Sequence, residues 1–98
     1  MRIYISGAMT GCADFRERFR EAERYLRERF RGAEIINPAI PLGALPDSTE
    51  WKQYMDVSLS ILRGCDTVYM LNGWGRSKGA RIERLYAMGS GMKLIYEE

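Results

Sequence analysis

Four short apolar runs alternate with three segments of helical period along this chain, and that alternation restricts the fold more than any other feature of the sequence. The runs are Arg2–Ser6, residues 33–36, residues 67–71 and Lys93–Tyr96. In the first, Ile3 and Ile5 fall on one side of a strand and Tyr4 on the other, whereas residues 67–71 (Thr-Val-Tyr-Met-Leu) are apolar throughout and read as a strand covered on both faces. Strands separated by helices imply a parallel sheet with right-handed crossovers. The expectation is an α/β fold: a single three-layer domain over residues 1–98, flavodoxin- or Rossmann-like, with a four-stranded parallel sheet in the order 2-1-3-4.

The helical segments differ in clarity. Phe15, Phe19, Ala22, Leu26 and Phe30 recur at helical spacing opposite a face dense in Arg and Glu, and Gly32 closes the segment. The second segment runs through Trp51, Met55, Leu59 and Leu62 to Gly64, with Asp47, Ser48 or Thr49 as its cap. The third starts at Ser77, carries Ala80, Leu85 and Met88 as its periodic apolar positions, and ends near Gly89. Residues 37–46 form a loop with prolines and a glycine that is long for a plain connector, which points to a binding site or an interface. Trp51 and Tyr54 open the second helix, where their rings are suited equally to stacking on a base or to a subunit contact.

Composition removes several classes of function. The net charge is +2, and the arginines are interleaved with acids, so neither a nucleic acid nor a membrane is expected as partner. No segment has the layout of a signal peptide or the length of a membrane span, and a reducing cytoplasm is the expected setting. The two cysteines, Cys12 and Cys65, match no zinc spacing, and histidine is absent. No metal or other cofactor is expected, and a carboxylate must lead any acid–base chemistry.

Residues 77–83 (Ser-Lys-Gly-Ala-Arg-Ile-Glu) supply such a carboxylate. They follow the third strand and the turn Asn72-Gly73-Trp74-Gly75-Arg76, so a capped helix N-terminus with free N–H groups lies at a strand's carboxyl end. Gly79 allows close approach, and Arg76, Lys78 and Arg81 add positive charge, which together make a phosphate cradle. Glu83 lies about 9 Å further along the helix, within reach of a bound nucleotide's sugar. A helical Glu more often belongs to a solvated or salt-bridged face, and glycine turns with serine caps begin many helices. The topology adds weight to the functional reading. In the order 2-1-3-4 the switch point between strands one and three gathers residues 6–11, residues 72–79, Glu83 and the start of the second helix into one crevice. Asp66 begins the third strand, about 17 Å away, where it is expected to be structural.

These residues resemble the nucleoside 2-deoxyribosyltransferase-like superfamily, and within it a small phage- and bacterium-associated domain of unknown function. The resemblance covers nearly the whole chain. It rests on residues 3–11 (Ile-Tyr-Ile-Ser-Gly-Ala-Met-Thr-Gly), Asn37-Pro38-Ala39, Trp51 with Tyr54-Met55, Cys65-Asp66, Gly73-Trp74, residues 77–80 and Glu83. It implies that Glu83 is the nucleophile attacking the anomeric carbon and that Tyr4 holds it. It also implies that a serine at position 77, where the transferases carry Asp, favours a nucleoside 5′-monophosphate over a free nucleoside. The implied binding set comprises Ser6, Gly7, Met9 and Gly11 from the first loop, Trp51, and Asn72, Gly73, Trp74, Ser77, Lys78, Gly79, Ala80 and Arg81. Ser58 departs from the pattern: the characterised enzymes have an Asp there, and Asp56 would point about 160° away.

Two functions are therefore expected from this chain. One is an N-glycosidase or 2-deoxyribosyltransferase-like enzyme that cleaves the N-glycosidic bond of a nucleoside 5′-monophosphate through Glu83. The other is a non-catalytic nucleotide-binding or sequestering module. Gly73, Gly75 and Gly79 do not have the spacing of a dinucleotide fingerprint. A nucleoside or nucleotide is the expected small-molecule partner, and a homodimer or larger oligomer is expected because the aromatic residues Trp51, Tyr54 and Trp74 crowd one edge.

Overall fold

The computed structural model describes residues 1–98. Its order is β1 (Arg2–Ser6), α1 (Phe15–Arg29), β2 (Glu34–Ile36), α2 (Ala39–Gly43), α3 (Trp51–Leu62), β3 (Thr67–Met70), a single 3₁₀ turn (Trp74–Arg76), α4 (Lys78–Gly89) and β4 (Lys93–Tyr96). All four strands are parallel in the order β2-β1-β3-β4, as the alternation predicts. No helix is long and apolar enough to cross a membrane.

The pleat of β1 divides the core in two. Ile3 and Ile5 meet Phe19, Ala22 and Leu26 of α1, together with Ile35, Tyr69 and Leu71. Tyr4 points to the opposite face, where Leu62, Val68, Met70, Ala80 and Ala87 pack beneath α3 and α4. The central strands β1 and β3 are buried on both sides, which is why their sequences lack a polar alternate. β1 also holds its register through Asp66, which accepts the backbone N–H of Arg2 at 3.2 and 3.1 Å and the Thr67 hydroxyl at 2.8 Å.

Three local expectations need correction. The 37–46 loop is not irregular throughout, because Ala39–Gly43 form a helical turn and a half that buries Ala39 and Leu42. The cap of α3 is Glu50 rather than Asp47, Ser48 or Thr49; Glu50 and Gln53 bond each other's backbone N–H groups in a reciprocal capping box. The third helix is out of phase with the sequence reading. Leu85 and Met88 are 64% and 50% exposed, while Ala80, Glu83 and Ala87 face the sheet. Small residues on that stripe let α4 lie close to the sheet, and the largest apolar side chains are left outside.

Candidate active site

Glu83 is the one ionisable carboxylate in the core, at 6% exposure. It is placed by the phase of α4, which begins at Ser77: the Ser77 hydroxyl accepts the Ala80 N–H at 3.1 Å and fixes the first turn. One and a half turns later Glu83 points at the sheet. There the Tyr4 hydroxyl donates to Oε2 at 2.6 Å and the Ser6 hydroxyl donates to Oε1 at 2.7 Å. Both distances are those of O–H bonds to an ionised carboxylate. Tyr4 and Ser6 are alternate residues of β1, so one face of one central strand orients both oxygens.

The electrostatics of this group are opposed. Burial pushes the Glu83 carboxyl up, and the bonds from Ser6 and Tyr4 pull it down; burial prevails, and its pKa stands above the ordinary glutamate value. The Tyr4 phenol is held well above its usual range, first by its own burial and then by the neighbouring carboxylate. Tyr4 therefore stays protonated and acts only as a donor.

Above Glu83 opens a cavity of about 570 Å³ at the carboxyl ends of β1 and β3. Glu83 is reached from its floor, along with Ser58 of α3 and Ala80. One wall is the start of α4, with Ser77, Lys78 and Gly79; another is the start of α3, with Trp51, Tyr54 and Met55. The Lys78 ammonium lies 4.6 Å from the centre of the Trp51 ring and ties the two helix starts together. At Gly79 a Cβ would come within 3.1 Å of the Met55 sulfur, so glycine there allows α3 and α4 to close up behind the cavity. At Gly7, also on the wall, a Cβ would sit 2.8 Å from Leu71 Cδ1, which makes the turn out of β1 dependent on glycine. Met9 and Thr10 continue that wall.

The remaining expected residues lie elsewhere. Ser6 is buried behind Glu83 as its donor and does not line the cavity. Gly11 and Gly73 have φ of 75° and 88° and form turns outside it. Asn72 is engaged with the C-terminal segment, its N–H donating to Glu97 at 2.7 Å, while Trp74 packs on Tyr96 with ring centres 6.2 Å apart and carries the Arg84 guanidinium at 4.7 Å. Arg81 donates to the Gly75 carbonyl at 2.8 Å rather than facing the cavity. Conversely, Phe15, Arg16, Leu42, Leu45 and Asp47 line the cavity without having been picked out by motif. Phe15 and Arg16 begin the helix that follows β1 and lie beyond residues 6–11, the part of this loop that the switch-point rule gathers into the crevice.

A family model described as "Domain of unknown function (DUF4406)" matches residues 1–96. The chain belongs to the DUF4406 family. Comparison with functionally curated proteins found no match. The DUF4406 match spans every strand and every cavity residue, so the sheet, the Glu83 pocket and its walls all lie inside the family's domain. In this DUF4406 chain the cavity joins an apolar and aromatic interior to three cations, Arg16, Arg76 and Lys78, against one wall acid, Asp47, with the held Glu83 carboxylate at the floor. Such a site suits an anionic ligand with a planar group, and the held carboxylate can attack or stabilise an electron-poor carbon.

Proposed function

We propose that the chain cleaves the N-glycosidic bond of a nucleoside 5′-monophosphate, as an N-hydrolase or a 2-deoxyribosyltransferase-like enzyme. The observation that carries this reading is the Glu83 carboxylate, buried, gripped by Tyr4 and Ser6, and open only to the cavity. The resemblance of Tyr4, Ser77 and Glu83 to the nucleoside 2-deoxyribosyltransferase-like superfamily supports it further. In the first step a Glu83 oxygen bonds to C1′ as the C1′–N bond breaks, and the base leaves with the bonding electrons and takes a proton from water. In the second, water or another hydroxyl attacks C1′ as the ester bond to Glu83 breaks, and its proton passes to the hydroxide left by the first step, freeing the carboxylate as in retaining glycosidases. The first N–H groups of α4 with Lys78 and Arg76 suit the 5′-phosphate, and Trp51, Tyr54 and Phe15 offer faces for the base.

The test is chromatographic. Incubation with nucleosides and their 5′-monophosphates releases free base from the monophosphates, and Glu83→Ala abolishes the release. Monophosphates that bind by calorimetry yet yield no base turn the assignment to a nucleotide-binding module. One observation favours that second reading: Ser58, where the superfamily's enzymes carry Asp, is buried and donates to the Met55 carbonyl at 3.2 Å, so no second carboxylate stands beside Glu83 on α3.

A further inference from the structure

Glu83 is a buried acid without a cation. None of the chain's ion pairs, Arg2–Glu34, Arg18–Glu97, Arg20–Glu17 and Arg27–Glu23, includes it, and the groups that bond its oxygens are the neutral hydroxyls of Tyr4 and Ser6. Ala80 and Ser58, which reach the cavity floor beside it, are neutral too. Buried charges are ordinarily paired, and the hydroxyl bonds do not cancel the cost of ionising this one, because burial still holds its pKa above the ordinary glutamate value. The proposed attack requires the ionised form, and the chain leaves that charge to be matched by something that enters the cavity.

The cavity also offers little to protonate a departing base. A neutral base leaves the sugar as an anion unless a proton reaches it while the bond breaks, and the usual donors are histidine and carboxylic acids. Histidine is absent, and of the two acids that line the cavity Glu83 is the attacking group. The other, Asp47, is an exposed residue of the segment between α2 and α3. Ser58 stands beside Glu83 with its hydroxyl committed to the Met55 carbonyl at 3.2 Å. Lys78 is drawn onto the Trp51 ring at 4.6 Å and Arg16 onto the Phe15 ring at 4.7 Å. Those two contacts mark the aromatic faces of the cavity as places that attract positive charge.

We infer that the substrate is an N-glycoside 5′-phosphate whose base is a planar cation, bonded to C1′ through a quaternary ring nitrogen. This rests on the N-glycosidase reading and narrows it. Such a ring sets positive charge beside Glu83 before any bond changes, and its flat faces fit against Trp51, Tyr54 and Phe15. The phosphate keeps Arg76 and Lys78. Departure of the base needs no proton donor: a Glu83 oxygen bonds to C1′, the C1′–N bond breaks, and its electron pair neutralises the ring, which leaves as a neutral molecule. Water then attacks C1′ as the ester bond to Glu83 breaks, and one proton of that water passes to solvent, restoring the carboxylate.

Nicotinamide mononucleotide, whose ring is a permanent cation, is the probe; its uncharged reduced form and the 5′-monophosphates of the neutral nucleobases are the comparison. Wild-type protein is expected to release nicotinamide with a kcat/KM about a hundredfold or more above that for any neutral base, the range that a missing acid costs. Calorimetry with the carbocyclic analogue of the probe, which is not cleaved, reads the charge pairing directly. Glu83→Gln is expected to bind that analogue about tenfold more weakly than wild type does, and to bind the analogue's reduced form equally well. Neutral bases released as fast as nicotinamide overturn the inference and leave the N-glycosidase reading standing; loss of that release in Asp47→Asn or Tyr54→Phe would name the proton donor. Equal binding of the cationic analogue by wild type and Glu83→Gln overturns it as well. No free base from any of these compounds ends the N-glycosidase reading, and this inference with it.

Discussion

Glu83 is costly to the fold in the state that the proposed chemistry needs. Its folded pKa is raised above the unfolded value, so the folded chain holds that proton more tightly. The corresponding stability is fully present below the unfolded pKa and is lost as pH rises through the folded one. Glu83→Gln, which keeps the shape without the charge, should therefore abolish base release while raising stability at pH 8 by about 1 kcal/mol, a Tm gain of ~4–8 °C. The gain should shrink towards pH 4; thermal melts across that range check the sign. Activity should show the converse, with an acid limb in kcat/KM displaced above the ordinary carboxylate range because only the ionised form attacks. Tyr4→Phe removes one of the two donors, so that limb should move higher still. Loss of a bond to a charged group, about 1.5–3 kcal/mol, predicts a fall of at least tenfold in kcat/KM at neutral pH. An unmoved limb would mean that Tyr4 serves packing alone.

The helix starts and strand ends around the cavity do separate jobs, and substitutions there can tell them apart. Ser77→Ala deletes the bond to the Ala80 N–H and should cost about 1 kcal/mol of stability by urea titration. Under the proposed function it should also weaken binding of monophosphates more than of nucleosides, which calorimetry on both ligands would reveal. Gly7→Ala should destabilise by about 1–3 kcal/mol, because the added methyl meets the Leu71 side chain at 2.8 Å in a filled core. At this scale the sequence was most readable where size and period agreed. Phe19 and Leu26 announced the inner face of α1, and Ile3, Tyr4 and Ile5 announced both faces of β1. It misled where they disagreed: Leu85 and Met88 suggested an inner face, but packing distance favoured Ala80 and Ala87, and the carboxylate came inward with them. The cap at Glu50 was hidden because Asp47, Ser48 and Thr49 have stronger intrinsic preference, whereas the bond that decides it comes from Gln53 three residues on. Arg16 and Asp47 carried no motif; only the closure of α1, α2 and the following loop over the strand ends brings them to the cavity.

In the whole molecule the cavity's floor and walls belong to parts of different permanence. The carboxylate is bonded to β1, a strand paired on both sides and buried on both faces, so it opens only when the domain unfolds. The walls at Met9, Thr10, Leu45 and Asp47 hold no strand pairing and are joined by few long-range bonds. Native-state hydrogen exchange should therefore give β1 and β3 amides the full unfolding free energy, and the wall amides far less. Equal protection in both would contradict that division. If it holds, then under the proposed function a product can leave through a yielding doorway while the machinery behind it stays set, so that turnover speed and bond-breaking geometry are free to evolve apart.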